Sequence, residues 1–510
     1  MDTAVKRIHA AIAGNEKVLI FGDYDVDGIT STVILLNFLR YVGADVTYYI
    51  PHRINEGYGI QPRHISHYAS PNKVNLIITA DCGSGSQQVA EAASKYGIDM
   101  IITDHHNISH NIPKALAVVN PKRHDCSAGL EILAGVGVVF CLLICLRTHL
   151  REKGFWRDRP EPNLKKYCDL VALGTVADMV PLVQENRIFC KTGLQLIGSG
   201  QRPGLAALLK ASSVPEDSID SETIAFRLAP RLNAAGRMDH AARAVNLLAT
   251  EDIDAAVESA QWLNVLNKNR QELENRTLAD IQTYLETNPS LLRQRSLVLS
   301  REGWHAGLLG IVAARVVEKY QRPVVLITTK DGMGMGSGRS VDGLNLYDAL
   351  TDCKPFLENY GGHSMAAGLK IKDENIADFQ NTFEAFIRRN SQPEDLIPTL
   401  QIESVLDFDA ISDALIDELE SLMPYGVGNP EPLFRATNVR VVSSKIVGKS
   451  HRRMILRQSL APQAPTLQAI HFNATGPIAQ KNTYSQIVFR LRWNRWNAKK
   501  SAQIVIEDLR

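Results

Sequence analysis

Three short apolar runs near the amino end, KVLIFGD (17–23), VNLIITAD (74–81) and IDMIITD (98–104), each finish on an aspartate. Short apolar runs with polar flanks read as buried strands, and stretches of helical spacing such as GITSTVILLNFLRYVG (28–43) separate them. With DVTYYI (45–50) as a further strand, this alternation predicts an α/β class with a parallel sheet and helices on both faces. Ligands of such sheets bind beyond the carboxyl ends of the strands. The three aspartates are therefore expected to share one crevice.

The first run continues as FGDYDVDGIT, which crowds Asp23, Asp25 and Asp27 into five residues. Taken singly, Asp27 before Gly28 suits a helix cap and Asp81 in DCG suits a turn. A histidine pair in a loop, such as His105 and His106 after Asp104, is more often a satisfied polar group than a ligand. Caps and turns do not explain why so many carboxylates gather at one sheet edge, because like charges this close repel unless a cation sits between them. Asp178 in GTVADMVPL adds another carboxylate from a helical stretch. Oxygen donors with one or two imidazoles suit Mn²⁺ or Mg²⁺ rather than a thiolate zinc site. The set is large enough for two ions, which at a separation of roughly 3.5–4 Å activate water and neutralise a phosphoryl group.

At 510 residues the chain exceeds one core, and roughly 100–200 residues per domain suggests three or four units. The expected boundaries are a first α/β domain over 1–200, a helical region with a long connecting helix over 201–290, a second, smaller α/β domain over 291–392 and a barrel over 400–510. The polar stretch 251–287 has few breakers and a thin apolar stripe, which predicts one extended helix. GMGMGSG (332–338) opens no immediate helix, so a hairpin presenting Ser337 and Arg339 fits better than a dinucleotide loop. From residue 400 several short strands follow one another without helices, predicting a small antiparallel barrel.

The longest apolar run, 133–146, falls short of the roughly 20 residues a membrane span needs. No apolar leader region opens the chain, and its seven scattered cysteines, with Cys141 and Cys145 as core residues of one helical face, suit a reducing cytoplasm. Charge is distributed unevenly. Residues 435–510 hold 14 Lys and Arg against Glu507 and Asp508, a net of +12, which leaves −11 on the other 434 residues. A basic tail on an acidic body suggests a polyanion partner. Within it, FRLRWNRWNAKK (489–500) puts Arg490 and Arg492 on one strand face, Leu491 and Trp493 on the other, then Arg495 and Trp496. Interleaved cations and aromatics suit single-stranded nucleic acid, although Trp493 suits a core equally well.

DYDVDG, DCG, TDHHN and GTVADMVPL resemble the four successive motifs of the DHH phosphoesterase superfamily, and GGHSMAAG resembles the glycine-rich signature of its associated C-terminal domain. PRLNAAGRM, GLLGIVAARVVEKY, GSGRSVDGLNLYDAL and PYGVGNPEPLF narrow the resemblance to the bacterial single-strand-specific 5′→3′ exonucleases of that superfamily. The resemblance implies two divalent cations, Mn²⁺ or Mg²⁺, on Asp25, Asp27, Asp81, His105 and Asp178, with Asp81 bridging and Asp23 a further ligand. It implies that His106 contacts or protonates the reacting phosphate and that Asp104 orients the loop. Arg53, Ser337 and Arg339 are implied as a pocket for the 5′-terminal phosphate, His363 as facing substrate, and the tail as an oligonucleotide-binding fold.

The implied activity is release of 5′-mononucleotides from single-stranded DNA in recombination and repair, by a monomer with a single-strand-binding protein and a helicase as partners. Two alternatives stand beside it. One is an oligonucleotide or cyclic-dinucleotide phosphodiesterase, which usually lacks a basic barrel; the other is a non-catalytic single-strand-binding scaffold, against which the Asp and His set argues. The chain departs from the pattern at Phe21, where many members carry a histidine ligand, and in a short segment before the first strand.

Overall fold

The aspartate-ending runs become β1 (Lys17–Gly22), β3 (Leu76–Ala80) and β4 (Asp99–Thr103), joined by β2 (Asp45–Tyr49) and β5 (Ala117–Val119) in one sheet. This computed structural model describes the chain except for residues 109, 216–218, 449, 459–464, 475–477 and 497–498, and the side chains of 478, 496 and 499. The strand order is β2-β1-β3-β4-β5, every pair parallel. From β1 the chain goes to β2 on one side and then to β3 on the other, so the order switches between β1 and β3, where open sheets bind ligands.

Each aspartate sits one residue beyond its strand and extends the ladder. Asp23 N–H donates to Ala80, Asp81 N–H to Thr103 and Asp104 N–H to Val119. Helices α1 (Val26–Tyr41), α2 (Gly135–Glu152) and α3 (Cys168–Ala177) pack together, and Val33, Leu36, Val139, Leu143 and Leu170 are buried among them.

After α4 (Ala229–Met238), the expected long helix is a single α5 (Ile253–Thr287). Its last turns bury Ile281 and Leu285 against the second sheet. That sheet comprises β6 (Leu297–Glu302), β7 (Val324–Lys330), β8 (Met333–Arg339), β9 (Leu357–Gly362) and β10 (Ala366–Lys372) in the order β6-β7-β8-β10-β9. Strand alternation divides its core in two. Val324 and Leu326 pack with α6 (Leu309–Tyr320) on one face, while Val325 and Ile327 pack with Phe379 and Phe383 of α7 (Ile376–Asn390) on the other. Buried Glu274 of α5 joins α5 to α6 by pairing with Arg270 at 2.9 Å and Arg315 at 2.6 Å.

Residues 1–180 and 184–398 form one compact unit; 181–183 with 399–510 form another. In the second, β11 (Ser404–Val405), α8 (Asp413–Ser421), β12 (Phe434–Val447), β13 (His451–Gln458), β14 (Thr466–His471), β15 (Thr483–Trp496) and β16 (Lys499–Leu509) follow in order. Pairing β12-β13-β14-β16-β15 and back to β12 closes a five-stranded barrel. Its β14–β16 ladder runs parallel; the other barrel ladders are antiparallel, as the sequence suggests. Among the described residues no helix is long and apolar enough to cross a membrane, and the cysteines are free thiols.

Candidate metal centre

The five residues from Asp23 to Asp27 turn the end of β1 into the start of α1. Asp25 caps that helix, accepting from Gly28 N–H at 3.0 Å, as a short polar side chain does at a helix start. Asp27, inside the first turn and buried, accepts from the N–H groups of Gly135 at 2.6 Å and Val136 at 2.8 Å. These belong to the first turn of α2, whose free N–H groups favour an anion. Gly135 is required there, since a Cβ at this position would lie 2.7 Å from Asp81 Oδ1. Asp81 itself adopts φ 64°, a turn conformation that aspartate tolerates better than most residues.

The sequence candidates converge. Donor atoms of Asp23, Asp25 and Asp81 lie within 4.8 Å of one another, as do those of Asp27, His105 and Asp178, and those of Asp81, His105 and His106. His105 Nε2 is 3.3 Å from Asp81 Oδ1, 3.4 Å from Asp178 Oδ2 and 3.8 Å from Asp27 Oδ2. Burial, and then the charge on His106, push His105 down to about 3, so these are approaches of a neutral ring rather than ion pairs. Burial and neighbouring carboxylates push Asp27 up to about 7 and Asp178 up to about 9, and raise Asp23 and Asp81 well above the carboxylate range. Asp23 Oδ1, Asp81 Oδ1 and His105 Nε2 are buried without a hydrogen-bond partner. Buried polar atoms are normally paired. Orphaned oxygens and an imidazole nitrogen that converge on shared points are the donor set of a divalent cation, and the residues fit one.

His106 is wired differently. Its Nδ1 is 2.8 Å from Asp104 Oδ1, and Asp104 also accepts from the N–H groups of Ser84, His105 and His106. Burial opposes charge on His106, but the hydrogen bond and charge of Asp104 carry it up to about 9. Asp104 moves the opposite way: burial is overcome by His106 and Ser84, and its carboxyl stays below the usual range. The exposed ring of His363, in the turn between β9 and β10, lies nearly parallel to that of His106, centroids 6.4 Å apart.

Arg53, Ser337 and Arg339 come with an unforeseen companion, Arg237 at the end of α4. Burial, then Arg53 and Arg339, push Arg237 down to about 9; burial and then Arg53 also lower Arg339. Such mutual disfavour arises where cations are gathered together; the carboxylate of Asp25 relieves it only in part at Arg237. A Cβ at Gly310 in α6 would lie 2.8 Å from Arg339 Nη2 and 3.0 Å from Ser337 Oγ, so the missing side chain leaves room beside them.

Sequence reasoning also missed Tyr58, whose hydroxyl is 3.3 Å from His106 Nδ1, and Asn120, which donates to Ser84 Oγ at 2.8 Å and the His106 carbonyl at 2.9 Å. The flanking Gly57 and Gly59, both at positive φ, were a usable signal for Tyr58; nothing local marks Asn120. Phe21 is fully buried, stacked on Tyr49 and 5.0 Å from the His64 ring. It belongs to the apolar core, not to the carboxylate cluster.

In the barrel, the expected grip is occupied by carboxylates. Arg490 pairs with Glu507 at 3.0 Å and Glu431 at 3.4 Å, Arg492 with Glu431, and Arg495 with Glu420 at 2.6 Å. Trp493 packs on the barrel core, donates to Asp417 at 2.8 Å and is covered by Lys500, 4.0 Å from its ring centroid. The side chain of Trp496 lies outside the described residues.

Family models match residues 17–175 to the DHH family N-terminal domain, 293–389 to the DHHA1 domain and 402–508 to the RecJ OB domain. The single-stranded-DNA-specific exonuclease RecJ of Bacillus subtilis is 35% identical over 100% of the chain, which spans 63% of that relative's length. The RecJ of Dickeya dadantii is 35% identical over 99% of the chain and 89% of its own, and that of Escherichia coli is 34% identical over 100% and 90%. Among solved structures, RecJ from Thermus thermophilus in complex with Mn²⁺ is similar with a TM-score of 0.82 at 30% identity, covering 99% of this chain and 71% of that one. Its Mg²⁺ complex gives 0.76 at 29% identity, covering 99% and 69%.

Proposed function

This chain belongs to the RecJ family, and from that membership we propose that it is a metal-dependent 5′→3′ exonuclease releasing 5′-mononucleotides from single-stranded DNA. The observation that carries the reading is the set of buried, unpartnered donors on Asp23, Asp81 and His105. Asp25, Asp27, Asp81, His105 and Asp178, with Asp23 beside them, would hold two divalent cations, Mn²⁺ or Mg²⁺. When bound, such ions supply Lewis acidity toward phosphoryl oxygens and acidify water.

The chain's own groups supply the rest. Helix α2 fixes Asp27 through two N–H groups, so its carboxylate stays in position as charge changes around it. His105, neutral, offers a lone pair rather than a proton. His106 donates its Nδ1 proton to Asp104, which leaves Nε2–H to donate to a phosphate oxygen or protonate the leaving oxygen. Direction needs a second recognition point, because the groups around the scissile phosphate do not distinguish one strand end from the other. Arg53, Ser337 and Arg339, joined by Arg237, would hold the 5′-terminal phosphate by charge-assisted hydrogen bonds.

The test is digestion of single strands and duplexes labelled at either end, with Mn²⁺, Mg²⁺ or chelator. Expected are mononucleotides released from the 5′ end of single strands only when metal is present. Release from the 3′ end, or cleavage of dinucleotides with long strands untouched, would overturn the reading.

A further inference from the structure

The connecting helix α5 buries one stripe along its length, and the middle of that stripe is polar. Ala256, Ala260 and Leu263 begin it and Ile281 and Leu285 finish it, while Asn267, Arg270 and Glu274 are buried between them at the same three- and four-residue spacing. Apolar residues would fill these positions without the desolvation that buried charge demands. What paired charges add is direction, since they fix the register in which two elements meet, whereas apolar contact is non-directional.

The polar stretch reaches two other helices. Asn264 of α5 accepts from Arg231 Nε of α4 at 3.0 Å. Asn267 accepts from Arg270 Nε at 3.0 Å, Arg270 donates to Glu274 Oε2 at 2.9 Å, and Glu274 Oε1 lies 2.6 Å from Arg315 Nε of α6. Both α4 and α6 border the arginine cluster. Arg237 stands at the end of α4, and a Cβ at Gly307, in the turn leading into α6, would lie 2.6 Å from the Arg237 carbonyl oxygen. One turn further on, Gly310 packs as closely on Arg339 and Ser337 of β8. Helix α6 is thus held against Arg237 on one side and Arg339 on the other, with no side chain between to take up slack. Arg270 is near enough to add to the lowering of Arg237, after burial, Arg53 and Arg339.

We propose that Glu274 is a positioning residue for recognition of the strand end. It locks α6 to α5, on which Asn264 and Arg231 seat α4, in the register that brings Arg237, Ser337 and Arg339 to one phosphate. Glu274 is fully buried and acts only through Arg270 and Arg315. A slip of α6 along α5 would carry the β8 side of the pocket away from Arg237, and a misplacement of about 1 Å can cost about a hundredfold in rate. The choice of a 5′-terminal phosphate as the pocket's ligand rests on the exonuclease reading above; the joint between the three helices does not.

The experiment compares digestion of single strands bearing a 5′-phosphate or a 5′-hydroxyl, with Mn²⁺, by full-length wild type, Arg339→Ala and Arg270→Leu/Glu274→Leu. Exchanging a buried ion pair for apolar residues leaves stability close to that of wild type. The double variant should therefore keep its Tm and its Mn²⁺ stoichiometry. It should stay within about twofold of wild type on 5′-hydroxyl ends and lose about tenfold on 5′-phosphate ends. Arg315→Met, at a side chain nearly half exposed, frees α6 alone and should show the same selective loss at about threefold. It carries the test if the double variant does not fold. An undiminished preference for phosphorylated ends in a folded variant, or equal losses on both ends, overturns the inference and leaves Glu274 a structural ion pair. The wild-type and Arg339→Ala arms separate the two readings. If wild type shows no preference for phosphorylated ends, or Arg339→Ala keeps it, the pocket reading fails and takes the inference with it. If the preference is present in wild type, lost in Arg339→Ala and kept in Arg270→Leu/Glu274→Leu, the inference fails alone.

Discussion

Asp23, Asp25 and Asp81 bring carboxylate oxygens within 4.8 Å of one another at the end of the first sheet, and buried oxygens of Asp23 and Asp81 find no hydrogen-bond donor. Arg490, Arg492 and Arg495, a comparable concentration of like charge on β15, each meet a glutamate. Both clusters stand out in the sequence, and only neighbours distant in the chain separate them: Glu420 and Glu431 approach β15, while no Lys or Arg approaches the aspartates closely enough to pair among the described residues. Like charge that the fold leaves unanswered awaits a ligand, whereas like charge that the fold answers holds the fold together.

The largest effect expected from this contrast is at Asp81. Asp81→Asn keeps the shape but removes a charge common to two donor groups, and hydrolysis should fall at least about a hundredfold, the scale of losing one electrostatic stabiliser. Single-strand binding should persist. Next is the arginine cluster. Losing one charge-assisted hydrogen bond of roughly 1.5–3 kcal/mol should make Arg339→Ala about tenfold to a hundredfold slower on 5′-phosphorylated strands and far less impaired on 5′-hydroxyl strands. Equal losses on both ends would mean that Arg339 grips the strand generally.

A third outcome concerns pH. Asp27 and Asp178 have folded-state values raised to about 7 and about 9, so above the ordinary carboxylate value the folded chain retains protons that the unfolded chain has released. Stability of chelated protein should therefore fall as pH rises from about 5 to 9. Added Mn²⁺ should raise Tm more at pH 8 than at pH 6; the reverse order would show that the carboxylates are not the groups being relieved. The smallest effect belongs to the answered cluster. Arg495→Gln breaks a half-exposed pair with Glu420 and should lower stability by under about 1 kcal/mol, leaving hydrolysis unchanged.

How much was legible in the sequence follows the same division. Apolar runs and terminal aspartates revealed β1, β3 and β4 and the shared edge, because a parallel sheet delivers its strand ends to one side. The single long helix α5 was legible from its unbroken pattern. Arg237 was not, although PRLNAAGRM was in view, because its meaning comes from Arg53 and Arg339, far away in the chain. Gly135 and Asn120 were hidden for the same reason: one makes room for Asp81 and the other ties Ser84 to the His106 carbonyl. On β15 the arginines were legible and their glutamate partners were not, since a count of arginines cannot register which carboxylates fold onto them.

The most direct measurement is a calorimetric titration of Mn²⁺ into chelator-treated protein, repeated in buffers of different ionisation enthalpy. Expected are two ions per chain, with protons released as Asp27 and Asp178 give them up, and reduced stoichiometry in Asp81→Asn and His105→Ala. Absence of saturable binding, or binding unaltered by both substitutions, would contradict the assignment of these unanswered carboxylates to a metal centre.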